Sequence, residues 1–208
     1  MPDLREAISL LIEHFRCAGC AALVFTLGFI SSVVVVKYRI EPLLIFPRWV
    51  AGKLQRMLKL NAVAIFLLIF GFNSTAICVY MLTGAIHYLA PVVIAFLTGK
   101  NIGVITFLAG RTPADETTAP QPSPVRQLIA IICGVLTALL EMPCFWLGIA
   151  MGMTLGGFGG GPTVNLGAAA IARLSAYLWL VVPVLFVSAI AETMGIRFMM
   201  AKEKKEND

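Results

Sequence analysis

Charged side chains are nearly absent from four long stretches: 17–36, 60–99, 127–172 (where Glu141 is the one exception) and 174–191. A helix needs about 20 predominantly apolar residues to cross a hydrocarbon core of roughly 30 Å. The 40-residue run from Leu60 to Gly99 is too long for one crossing, and the turn signals Gly84 and Pro91 divide it. The pattern predicts five transmembrane helices, at 17–38, 62–84, 88–110, 127–153 and 174–193. Strict alternation of apolar and polar positions is absent, which argues against a membrane barrel. The fold class is therefore all-α: a polytopic integral membrane helix bundle flanked by interfacial amphipathic helices.

The segments between the spans divide a single membrane domain, 1–208, without splitting it. Residues 3–16 place Leu4, Ile8, Leu11, Ile12 and Phe15 at helical spacing, and Asp3 with Glu6 forms a capping-box start. This reads either as an interfacial helix feeding span 1 or as a plain extension of that span. The opening residues carry acids rather than a short basic leader, so the first apolar segment is expected to stay in the mature protein. Residues 47–60 form a second amphipathic candidate. Trp49, Val50, Leu54, Met57 and Leu58 suit acyl chains, while Arg48, Lys53, Arg56 and Lys59 suit headgroups. The proline-rich stretch 111–125 tethers spans 1–3 (17–110) to spans 4–5 (126–195). The glycine-rich stretch 156–167 ends span 4, and a charged tail closes the chain at 196–208.

Composition sharpens this picture. The 208 residues are 59% hydrophobic and 13% charged, with a mean hydropathy of +0.90, against roughly one quarter charged in soluble domains. The formal net charge is +5. With five spans, Arg5, Arg16 and Arg173 fall on one side of the membrane and every other basic residue on the other. The positive-inside rule then puts the 39–60 loop, the 111–126 loop and the C-terminus in the cytoplasm, with the N-terminus outside. The short basic cluster hugging the bilayer argues against nucleic acid as a partner. The expected partners are the lipid bilayer itself and either other membrane subunits or further copies of the chain. The expected location is the cytoplasmic membrane.

Candidate chemistry is sparse. Glu141 is the only charge between Arg126 and Arg173, beside the helix-bending Pro143. A charge near the bilayer centre costs roughly 2.5–3.5 kcal/mol on insertion scales. Glu141 reads as a neutral, hydrogen-bonded carboxyl joining helices, as the partner of Lys100, or as a proton- or cation-handling site. Asn73, inside span 2, also needs a polar partner. Gly148, Gly152 and Gly156 recur every four residues and let another helix approach closely. That approach is either within the chain's own bundle or at a partner interface. Cys17-x-x-Cys20 lacks a second pair and starts a membrane helix, so it points to neither metal nor redox work. The glycine run at 156–161 lacks the Gly-Lys-Ser/Thr that a phosphate loop requires. His14 and His87 are not spaced to share a metal. No cofactor is implied and no catalytic set assembles, so the chain does not read as an enzyme.

Two stretches resemble the stage II sporulation protein M family. In 72–103, FNSTAICVYMLTGAIHYLAPVVIAFLTGKNIG, the places of the family's Asn, Gly, Pro and Gly-x-x-x-Gly step hold Asn73, Gly84, Pro91, Gly99 and Gly103. In 138–156, ALLEMPCFWLGIAMGMTLG, its Glu-Leu-Pro motif and closing glycine step fall on Glu141, Pro143, Gly152 and Gly156. Ser74, Thr98, Thr137-Ala138 and Thr154 stand where the family carries Asn, Asn, His-Gly and Arg. The resemblance implies a non-enzymatic membrane scaffold. The sporulation member holds peptidoglycan-remodelling enzymes at a septal membrane. The resemblance also implies a cytoplasmic N-terminus, opposite to the charge count. The reading is an integral membrane scaffold or accessory subunit packed against partner membrane proteins. The alternative is a small transporter or channel component built around an intramembrane carboxylate.

Overall fold

The computed structural model describes residues 4–57, 60–109, 124–158 and 165–200. Every element in them is helical: α1 (Leu4–Lys37), α2 (Glu41–Met57), α3 (Ala62–Thr83), α4 (Ala90–Ala109), α5 (Pro124–Leu155), α6 (Leu166–Ala176), a π-helical turn (Tyr177–Val181) and α7 (Val182–Met200). Five stretches are long and apolar enough to cross a membrane: His14–Lys37, Ala62–Thr83, Ala90–Leu108, Ile131–Leu155 and Leu166–Phe198. These are the five crossings that the charge gaps predict.

Local chemistry sets the ends. At the close of α1, Arg39 adopts φ 49° and the Ile40 amide donates to the Val35 carbonyl at 3.1 Å. This is a Schellman stop with arginine in the left-handed position. Gly157 does the same for α5, with φ 84° and the Phe158 amide donating to Met153 O at 3.0 Å. Asn61 and Asn165 cap α3 and α6, their side chains accepting from the Ala64 and Ala168 amides. Pro91 sits in the first turn of α4, where a missing N–H costs nothing.

The second half of α5 is the axis of the bundle. On one side it meets α1 and α4: Ile149 and Met153 pack with Ala21 and Ala95, and Trp146 meets Phe25 edge-on. On the other it meets α3 and the π turn with α7: Cys144, Phe145, Leu147 and Met151 pack with Ile77, Met81, Tyr177, Val181 and Leu185. Farther along, α3 and α7 pack directly through Ile65, Ile69 and Ala189. The Arg197 guanidinium closes that end on the Leu60 carbonyl at 2.6 Å.

Several expectations need correcting. Of the two readings of 3–16, the described residues give the extension: Leu4 to Lys37 form one helix, because no proline or turn signal separates this segment from the span. At about 51 Å, that helix is longer than the bilayer is thick. Pro143 does not break α5, which continues through it to Leu155; an exposed proline omits one backbone bond without ending the helix. The fifth crossing begins at Leu166, not 174, so Arg173 lies inside a helix and not in a loop. The amphipathic segment starts at Glu41 rather than 47, with Pro47 inside it. Lys59, most of 111–125, positions 159–164 of the glycine-rich stretch and 201–208 of the tail lie outside the described residues.

Candidate functional site

Three helices meet at Glu141. Its Oε1 accepts a hydrogen bond from Asn73 Nδ2 of α3 at 2.7 Å and another from Ser188 Oγ of α7 at 3.1 Å. Glu141 as a whole is 8% exposed. Glu141 and Asn73, the two polar side chains that stand out in spans 4 and 2, are therefore direct partners. Lys100 is not a third. It is buried on α4 beside the crossing with α1 and forms no ion pair with Glu141 among the described residues. The reason is geometric: α4 packs on one side of α5, and Glu141 faces α3 and α7 on the other.

α7 runs antiparallel to this face of α5. Gly195 lies against Cys133 and Ser188 against Glu141. Thr137 and Glu192 fall between these two contacts, each one helical turn from Glu141 or Ser188. Thr137 Oγ1 is buried and has no hydrogen-bond partner. Glu192 lies within electrostatic reach of Glu141. A second carboxyl therefore shares the seam, one that the gaps in charge along the chain do not mark. The available signal was the four-residue spacing of Ser188 and Glu192, which puts both on one face of a helix.

The glycines divide into two tight crossings. A Cβ on Gly28 or Gly99 would collide with the Phe96 or Phe25 carbonyl, and one on Gly103 with the Ser32 side chain. The α1 and α4 backbones thus touch. At the other crossing, Gly148 faces the Ile77 side chain, Gly152 the Tyr80 carbonyl and Pro91, and Gly156 the Tyr88 and Gly84 backbone. All three rungs of the α5 ladder are covered by α3 and by the turn after it. By contrast Gly71 on α3 and Gly134 on α5 face open space.

A second polar cluster lies near the other end of α5. The buried Arg173 donates from Nε to Met151 O at 3.1 Å, from one terminal nitrogen to Ala169 O at 3.0 Å and from the other to Thr154 Oγ1 at 3.1 Å. Thr154 Oγ1 also lies 3.4 Å from Nε2 of the fully buried His14. The cluster pins α1, α5 and α6 together and brings a cation to the carbonyl end of α5, where the helix dipole favours it. Thr154 stands where the resemblance places an arginine, and here the arginine reaches it from α6. The sequence weighs His14 only as a metal ligand and Arg173 only as a loop charge; the helix-capping Asn165 followed by an alanine-rich run is the sign that Arg173 is helical.

On α2, Arg48, Lys53 and Arg56 are exposed. Arg48 pairs with Glu41 at 2.7 Å, and the Lys53 ammonium lies 5.4 Å from the Trp49 ring centre. The described cysteines are all free thiols. Among the described residues no group of three or more His, Cys, Asp or Glu is placed to hold a metal ion.

A family model described as stage II sporulation protein M matches residues 21–195. The match reaches into all five crossings, leaving out the start of the first and the end of the fifth, and takes in both polar clusters apart from His14. No curated protein and no solved structure matches the chain.

Proposed function

Because this chain belongs to the stage II sporulation protein M family of multi-pass membrane proteins, we propose that it is a non-enzymatic scaffold or accessory subunit of the cytoplasmic membrane. In this role it packs against partner membrane proteins in a larger complex. One observation carries the reading. α5 is one helix whose surroundings change at Glu141. Beyond that residue nearly every apolar side chain is buried; before it Leu128, Ile131, Ile132, Val135, Leu136 and Leu139 are all exposed. Among the described side chains of that first half, one narrow stripe, through Cys133 and Thr137, lies against α7. The outward face includes Gly134, over which another helix can approach closely. The covered ladder Gly148, Gly152 and Gly156 serves the chain's own fold, so the partner surface is sought here instead.

The test is Gly134→Leu in the full chain. The substitution meets open space within the protein, so thermal stability in detergent stays within about 1 kcal/mol of wild type. Stoichiometric partner recovered on gentle extraction is expected to be lost. A complex that survives Gly134→Leu undiminished overturns the assignment of this face.

The alternative reading, a small transporter or channel component, is favoured by one feature, the proximity of Glu192 to Glu141 on the α5–α7 seam. Intramembrane carboxyls of this kind mark ion and proton paths in other proteins. It requires the wild type to carry proton-coupled flux in liposomes and Glu141→Gln to abolish it. Wild-type liposomes without flux remove this reading.

A further inference from the structure

We infer that α2 is a docking surface for the anionic headgroups of the lipid leaflet in which it sits. α2 joins the end of one crossing, Lys37, to the start of the next, near Ala62. It is therefore held at the level of one membrane surface. Its inner face is fixed: Leu44 is buried with Val35, Val36 and Val104 of α1 and α4, and Pro47 is buried beside it. The outer face is consequently fixed too.

That outer face mixes two chemistries. Ile45, Phe46 and Trp49 are each more than half exposed, and the Phe46 and Trp49 rings stack at 6.1 Å. Among them stand Lys53 and Arg56, with Lys37 and Arg39 at the preceding turn, all exposed. The only acid between 37 and 57 is Glu41, and Arg48 already pairs with it. Four basic side chains are left without a carboxylate in this segment. An aromatic ring flanked by cations suits the headgroup zone. The ring lies at the boundary of the hydrocarbon, and the long basic side chains reach outward to phosphates. The net positive charge complements an anionic leaflet. An apolar protein partner would leave these cations unpaired, so lipid is the better match.

The experiment uses the full chain reconstituted in vesicles of phosphatidylcholine and phosphatidylglycerol at fixed ratio. Bromine is carried on the acyl chains of one lipid at a time. The Trp49 signal is the difference between wild type and Trp49→Phe, which subtracts Trp146 and Trp179. Quenching by the brominated anionic lipid is expected to exceed its mole fraction by about twofold or more. High salt, or the pair Lys53→Gln and Arg56→Gln, is expected to return it to the mole fraction. Wild-type quenching that simply follows mole fraction overturns the inference. So does a Trp49 that neither lipid quenches, the result given by a protein covering this face.

Discussion

Glu141 is held by chemistry that does not depend on its charge. Asn73 and Ser188 both donate to the same oxygen, and a glutamine carbonyl accepts these bonds equally well. Glu141→Gln should therefore keep the bundle within about 1 kcal/mol of wild type. Glu141→Leu leaves the buried Ser188 hydroxyl and the half-buried Asn73 amide unpaired and should cost roughly 1–3 kcal/mol. Thermal unfolding in a mild detergent reads both, and equal losses would mean that charge, not hydrogen bonding, holds the junction. At this scale the sequence shows the unusual residues but not their partners. Glu141 and Asn73 stand out because polar groups are costly in hydrocarbon. Their pairing across 68 positions depends on how α3 and α5 cross. Lys100 was the natural cation by type, yet packing puts it on the far side of α5. Ser188 is chemically bland, and Glu192 sat at the margin of a crossing drawn too short.

The helices meet where side chains are missing. At the α1–α4 crossing a Cβ on Gly99 would strike the backbone of α1, which cannot move aside as a flexible side chain can. Gly99→Ala should force the two helices apart and cost about 2–3 kcal/mol. Gly71→Ala, on an exposed face, should be neutral or stabilising by up to about 1 kcal/mol, since alanine is the better helix former. Melting of the two variants side by side in detergent checks this; similar behaviour would mean that the close approach of α1 and α4 does not exist. Glycine spacing was legible, because residues four apart line one helix face whatever the fold. Which helix lies opposite was not. The π turn was also hidden. Pro183 has no N–H to offer the Trp179 carbonyl, and the backbone widens so that the Val182 amide bonds Tyr177 O, five residues back. A proline in an apolar run announces a disturbance but not its form, as the unbroken α5 at Pro143 also shows.

On the scale of the whole molecule, five crossings follow from the spacing of charges alone, because the bilayer sets both the length and the polarity of each helix. Moving Arg173 from a loop to a buried site leaves Arg5 and Arg16 on one side of the charge count against the other thirteen basic residues. What the sequence does not reveal is the division of surfaces. α5 is largely buried after Glu141 and largely exposed before it, a contrast invisible in a run that is apolar throughout. The fold thus uses its glycine ladders internally and leaves much of the first half of α5 exposed; under the scaffold proposal, that face is where a neighbour packs. The most direct test of the scaffold reading is the mass and composition of the wild-type particle, extracted from its own membrane in gentle detergent. A scaffold subunit predicts a fixed ratio of this chain to one or more different membrane proteins. A particle made only of this chain, single or multiple, would contradict it.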